Sequence, residues 1–155
     1  MTTPELPLHG ACRCGDVHVT MSAPPLMTAA CHCTGCQKMS SSAFSLTAMV
    51  PPQGFAVTKG ETRRGGLGEG RLDHQFCPRC LTWIFTRITG LDYFVNVRPT
   101  MFEDTSWFTP FIETMTQDKL AWVTTPARHS FEAFPPMEEL PTLMAEFGQS
   151  GAPGR

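Results

Sequence analysis

The placement of the cysteines constrains this chain more than any other feature. Seven occur in 155 residues, in three knots: Cys12-x-Cys14, Cys31-x-Cys33-x-x-Cys36 and Cys77-x-x-Cys80. An odd number cannot all be consumed by intramolecular pairing, and in a reducing compartment disulfides would not persist. A tetrahedral zinc with Zn–S bonds of about 2.3 Å needs its sulfurs about 3.8 Å apart, and C-x-C or C-x-x-C turns bring two thiolates that close. Inert core cysteines would be scattered rather than knotted. A dithiol oxidoreductase would place Phe76-Cys77-Pro78-Arg79-Cys80 at the start of a helix after a strand, whereas the residues after Cys80 read as a strand. The three knots therefore read as zinc ligands.

Seven thiolates make one closed set of four and one incomplete set of three. The triple Cys31, Cys33 and Cys36 spans six residues and can wrap one ion while leaving a coordination position open. The pairs Cys12/Cys14 and Cys77/Cys80 would share the other ion across more than sixty residues of chain. A closed four-sulfur site ties distant segments together and contributes directly to folding. The open position could take water, an incoming thiol or a histidine. His32 lies between two cysteines, where its ring should point away from the ion, so a supporting role is expected of it. His9, His18, His74 and His129 read as ordinary surface or core histidines unless they face the site.

Periodicity favours strands. Val17, Val19 and Met21 alternate with His18 and Thr20, as do Phe44, Leu46, Ala48 and Val50 with polar or small residues; Trp83-Ile84-Phe85 and Tyr93-Phe94-Val95 are aromatic and β-branched. Pro24-Pro25, Pro51-Pro52-Gln53-Gly54, Lys59-Gly60 and Thr89-Gly90 punctuate these runs. A mainly β fold is predicted, with a short helical turn around Thr34 to Met39. Apolar residues at Met137, Leu140, Met144 and Phe147 predict a closing helix, with Pro141 either a kink or part of its first turn, and a frayed tail from Gly148. Residues 63–71 carry Arg63, Arg64, Arg71 and four glycines, a mobile loop whose guanidinium groups would hold substrate carboxylates if it folded toward the open site. Trp83, Trp107 and Trp122 read as core or rim residues.

The remaining composition excludes several classes. Twelve Lys plus Arg against fourteen Asp plus Glu give a net charge of −2, which provides no footprint for nucleic acid. No stretch reaches the roughly 20 apolar residues of a membrane span. Met1-Thr2-Thr3-Pro4-Glu5 lacks the pattern of a signal peptide, so the expected location is cytoplasmic. The length suits one domain. Residues 1–8 read as an N-terminal extension, 9–135 as the zinc-binding domain and 136–155 as the C-terminal helix and tail; oligomeric state leaves no mark on the sequence.

Gly10-Ala11-Cys12-Arg13-Cys14-Gly15, Cys31-His32-Cys33-Thr34-Gly35-Cys36 and Phe76-Cys77-Pro78-Arg79-Cys80 resemble, in order and spacing, the signature of the glutathione-dependent formaldehyde-activating enzyme family. The resemblance extends from about His9 to Pro135. It implies an Mss4-like fold of several coiled antiparallel β-sheets, a structural zinc on Cys12, Cys14, Cys77 and Cys80, and a second zinc on Cys31, Cys33 and Cys36 that acts in catalysis. It also implies two small-molecule partners, a thiol such as glutathione and an aldehyde such as formaldehyde, joined as S-hydroxymethylglutathione by an enzyme classed as a carbon–sulfur lyase. The family commonly has Gly after the last cysteine, where this chain has Leu81. Val97-Arg98-Pro99-Thr100 and Phe111-Ile112-Glu113-Thr114 mark a divergent branch.

Two rivals stand beside the enzyme. One is a carrier that holds glutathione at the open position without turnover; the other is an interaction module that uses zinc only to fold. Mild acidity and the lack of a basic tail count against the second. Asp73, His74, Asp92, Glu103, Asp104 and Glu113 are all candidates for a general acid or base.

Overall fold

The computed structural model describes residues 4–150. Its strands are β1 (Leu8–Ala11), β2 (His18–Met21), β3 (Met27–Cys31), β4 (Ser45–Val50), β5 (Phe55–Lys59), β6 (Arg63–Arg64), β7 (Leu72–Phe76), β8 (Trp83–Ile88), β9 (Leu91–Val97), β10 (Ile112–Thr114) and β11 (His129–Ser130). Two α-helices join them, α1 (Thr34–Ser40) and α2 (Leu140–Ser150). The strands form a small sheet in the order β1-β2-β5 and a large one in the order β11-β10-β3-β4-β9-β8-β7-β6. The fold is mainly β, as the turn-punctuated alternation predicts.

The central strands of the large sheet are buried on both faces, and their period of two sorts side chains between two cores. Ala48 and Val50 of β4, with Val95 and Val97 of β9, join Val17, Val19, Met21, Phe55, Ile84 and Trp107 in a core beneath the small sheet. The intervening Met49 and Phe94 point to the opposite face and pack with Met27, Phe111 and Ile112. That second face is covered by α2, through Leu143 and Phe147 one turn apart. Pro141 sits in the first turn of α2, after a 3-10 turn at Met137–Glu139, where its missing N–H costs nothing. The helix continues through Gly148 to Ser150, and the rest of the tail expected to fray, residues 151–155, lies outside the described residues.

Most pairings are antiparallel, but β10 runs parallel to both β3 and β11. This differs from the uniformly antiparallel expectation. Short β-branched runs do not reveal direction; β10 reaches its place through a long connection, as a parallel neighbour requires. Glycine is needed where backbones crowd or reverse. Gly60, at φ +75, lies so close to the Asp16 carbonyl that any Cβ would collide with it, and Gly90, at φ +82, closes the β8–β9 hairpin.

Candidate metal centres and the cleft beside them

The chain gathers its seven cysteines into the two sets that counting suggests. The Sγ atoms of Cys12, Cys14, Cys77 and Cys80 lie within 4.8 Å of one another, and so do those of Cys31, Cys33 and Cys36. All seven are free thiols. Cys12 and Cys14 are 3.6 Å apart and Cys14 and Cys77 3.7 Å, close to the edge of about 3.8 Å for a tetrahedron of thiolates around zinc. Each set could hold a metal ion, and the donor set fits zinc.

The four-cysteine cluster joins two knuckles. One is the turn between β1 and β2, where Gly15, at φ +83, reverses the chain and Val17 N–H donates to Cys12 Sγ at 3.3 Å. The other is the turn between β7 and β8, where Cys80 N–H faces Cys77 Sγ at 3.5 Å and Leu81 N–H donates to the Cys77 carbonyl. Arg13 N–H donates to Thr82 Oγ1, and an exposed ion pair links Arg79 to Asp16. The cluster thus fastens the small sheet to the large one. Burial opposes ionisation of Cys80, but hydrogen bonds to Thr82 prevail and bring its thiol down to about 5.

The triple sits at the end of β3 and the start of α1. Cys33 is the N-cap, its Sγ accepting from Cys36 N–H at 3.3 Å, so the short C-x-x-C spacing is the first turn of the helix. Cys31 is held at about 5 chiefly by the Cys36 thiol donating to it, and the same bond pushes Cys36 up. The set therefore takes its first negative charge at Cys31. Burial raises Cys33.

His32 is not among the clustered ligands. It is fully buried and turned away, donating from Nε2 to Glu113 at 2.9 Å, with its ring edge-on to Phe44. Glu113, on β10, also accepts from Lys119, Thr125 and Ser130. Burial disfavours its charge, yet these donors outweigh that and hold its carboxyl at about 2. Gln37 of α1 donates to the carbonyls of His32 and Asp118, completing the support behind the triple.

Beside the triple lies a cleft of about 340 Å³ lined by Met39, Phe44, Ser45, Leu46, Trp83 and Arg98, among others. Ser45 pairs with Cys31 across β3 and β4 and its hydroxyl hydrogen-bonds to the Cys36 thiol. Arg98 is buried, donating to the Leu46 carbonyl and Thr47 Oγ1 at 2.9 Å, with its guanidinium 3.9 Å from the centre of the Trp83 ring. Thr86 Oγ1 lies within hydrogen-bond distance of Trp83 Nε1, Arg98 Nη2 and His74 Nδ1. Since the first two can only donate, the hydroxyl proton goes to His74 Nδ1, which fixes the tautomer of that ring. Burial and the Arg98 charge keep the His74 pKa below its usual value.

Residues 7–118 match the family model described as glutathione-dependent formaldehyde-activating enzyme. The chain belongs to that family. A solved protein from Rhodobacter sphaeroides is similar to it over 62% of this chain and 88% of its own, with 18% sequence identity and a TM-score of 0.49. No curated protein matches.

Several family expectations can now be placed. The residue after the last cysteine, commonly Gly in the family, is Leu81 here and adopts φ 59, the left-handed region in which Gly is at ease. Arg64 and Arg71 do not reach the triple. They are spent on carbonyls of their own hairpins, Arg64 on Gly70 and Arg71 on Thr89, while Arg63 is exposed on β6. His9, His18 and His129 bond to Thr20, Gly15 and Glu146, away from the triple. Trp83 and Trp107 are core, Trp83 also at the rim of the cleft, whereas Trp122 is 78% exposed. Arg98 and Glu113 both lie within the divergent segments: Arg98 is a residue the spacing argument misses, while Glu113, a candidate general acid or base, is placed behind His32. The available signal was a charge inside an apolar run, Phe94-Val95-Asn96-Val97-Arg98 and Phe111-Ile112-Glu113. Among the described residues no helix is long and apolar enough to cross a membrane.

Proposed function

We propose that this chain is a two-zinc carbon–sulfur lyase-like enzyme that adds a thiol such as glutathione to a small aldehyde such as formaldehyde. In this reading Cys12, Cys14, Cys77 and Cys80 hold a structural zinc, and Cys31, Cys33 and Cys36 hold a zinc with one open position. The observation that carries it is a set of three sulfurs, two of which adjoin the cleft-lining Ser45, together with a set of four that ties two sheets together. Family membership supports the choice of thiol and aldehyde.

Held by Cys31, Cys33 and Cys36, a zinc ion would supply a positive charge that lowers the pKa of an incoming thiol. The chain's own residues do the rest. Cys33, as N-cap, and Cys36, one turn on, hold their sulfurs in the geometry of a helix start, while Ser45 fixes the Cys36 thiol by a hydrogen bond. Phe44, Leu46 and Trp83 make apolar walls that thin the water around the reacting groups. In the overall reaction the thiol sulfur bonds to the carbonyl carbon, the carbonyl π bond breaks, and the thiol proton ends on the carbonyl oxygen.

One feature favours the carrier as a second reading. Among the described residues that line the cleft there is no carboxylate and no histidine, so the cleft lining itself offers no such general acid or base. The test is the rate of S-hydroxymethylglutathione formation from glutathione and formaldehyde, measured against the uncatalysed condensation. A rate above background that disappears in Cys33→Ser supports the enzyme. Binding of glutathione with no acceleration supports the carrier.

A further inference from the structure

Arg98 is a buried cation without a carboxylate partner. It is 7% exposed, and among the described residues no Asp or Glu lies within ion-pair distance of its guanidinium. Its hydrogen bonds go to neutral oxygens of Leu46, Thr47 and Thr86, and its Nε, fully enclosed, has no partner among the described residues. A buried charge that is solvated only by neutral dipoles is costly unless an opposite charge stands near. The opposite charge here is the cysteine triple. Arg98 grips the carbonyl of Leu46, next to the Ser45 that pairs with Cys31, and it lines the same cleft. Burial lowers its pKa to about 10, and the nearby cysteines of the triple oppose that shift.

The charge count at the triple shows what this cation can do. Three thiolates around a divalent ion leave a net charge of −1, and an anionic fourth ligand makes it −2, in a site that is partly buried. A neutral fourth ligand leaves the charge at −1. We propose that Arg98 is the counter-charge of the three-cysteine site, a positioning residue that makes an anionic fourth ligand, a thiolate, preferred over a neutral one. The inference rests on the reading that the triple holds a metal ion with an open position. It does not require turnover, and it adds a selectivity that three cysteines alone would lack. The fork of hydrogen bonds and the Trp83 face hold the charge in place so that it need not reorganise when the ligand arrives.

The experiment uses the full chain loaded with cobalt(II), whose visible bands report the fourth ligand, titrated with 2-mercaptoethanol and separately with imidazole. The first binds as an anion and the second as a neutral ring. Arg98→Gln should weaken 2-mercaptoethanol binding tenfold or more and imidazole binding less than threefold. Equal losses for both ligands, or none for either, would overturn the proposal, because a merely structural Arg98 would not distinguish charge. Retention of the four-cysteine metal against a chelator checks that the variant is folded. If Arg98→Gln does not fold, Arg98→Lys decides: a thiolate preference within threefold of the parent supports the counter-charge, and its loss overturns it. Should the parent bind neither ligand, the open-site reading fails by itself. The affinity of the triple for cobalt(II) then tests Arg98 alone, a tenfold or greater loss in Arg98→Gln supporting the proposal and an unchanged affinity overturning it.

Discussion

The two cysteine clusters begin from the same local device and end as different structures. In each C-x-x-C, the amide of the second cysteine faces the sulfur of the first, Cys80 to Cys77 and Cys36 to Cys33. In each, the next amide donates to the first cysteine's carbonyl, Leu81 to Cys77 and Gln37 to Cys33. The paths then diverge. Leu81 turns left-handed and the chain returns as β8, while Gln37 stays helical and continues α1. The first cluster recruits its other two sulfurs from the far side of the chain and fastens two sheets. The second recruits only Cys31, from the adjacent strand, and stays a set of three, with the Arg98-lined cleft beyond Ser45 and the Glu113 network behind His32. Whether a cysteine knuckle becomes a clamp or an open centre is thus decided by what packs around it, not by the knuckle.

The sharpest way to break this contrast is to remove one sulfur from each side. A closed four-thiolate zinc contributes on the order of 10 kcal/mol of binding free energy, against a domain stability of about 5–15 kcal/mol. Cys77→Ser should therefore leave the chain largely unfolded by circular dichroism. Cys33→Ser should fold, with Tm within a few degrees of the parent, because serine is itself a good N-cap and α1 is preserved. Elemental analysis should then give about one zinc per chain in place of two, with glutathione binding lost. Equal destabilisation by the two variants would show that the triple is as structural as the quartet.

A second, smaller effect separates the supports behind the clusters. Glu113 has its carboxyl lowered from 4.5 to about 2, so its interactions stabilise the folded state fully above about pH 4.5 and lose that contribution as pH falls through about 2. The shift corresponds to about 3 kcal/mol. The stability difference between the parent and Glu113→Gln, from urea melts, should be largest at neutral pH and close toward pH 2. At neutral pH the variant should keep its quartet metal and lose triple metal faster to a chelator, since Glu113 anchors His32 between two of those cysteines. Faster loss from the quartet would mean that the clusters are mechanically coupled.

Much of this contrast is legible in the sequence, because short-range spacing dictates it. Three knots in one chain state how many sulfurs can meet, and alternation at Val19/Met21 or Ala48/Val50 states which residues face a core. What is not legible depends on contacts between segments remote in sequence. Arg98 is brought to Leu46, beside the Ser45 that pairs with Cys31, only because β4 lies between β3 and β9, and Glu113 reaches His32 only because β10 pairs parallel to β3. The arginines of residues 63–71 look available in sequence because a glycine-rich run shows no partners, yet the carbonyls of Gly70 and Thr89 take two of them. Charge in an apolar run is the sequence signal for Arg98, and although Glu113 stands among the acid or base candidates, nothing local names His32 as its partner.

The smallest effect tests the point of divergence itself. Leu81 is 61% exposed, so its side chain gives little to the core, while its φ of 59 costs a residue with a Cβ about 1–2 kcal/mol. Glycine relieves that cost but loses about 0.5–1 kcal/mol through greater freedom in the unfolded chain. Leu81→Gly should thus raise stability by up to about 1.5 kcal/mol, a rise in Tm of roughly 3–6 °C at most for a domain of this size. The same substitution at the matching place in the other knuckle should do the reverse. Gln37→Gly puts glycine inside a helix and removes two hydrogen bonds to the carbonyls of His32 and Asp118, so a loss of about 1–2 kcal/mol is expected. Opposite signs from one substitution at two equivalent positions would establish that the knuckles part company at this residue. A destabilised Leu81→Gly would instead show that Leu81 makes a packing contribution larger than the strain it carries.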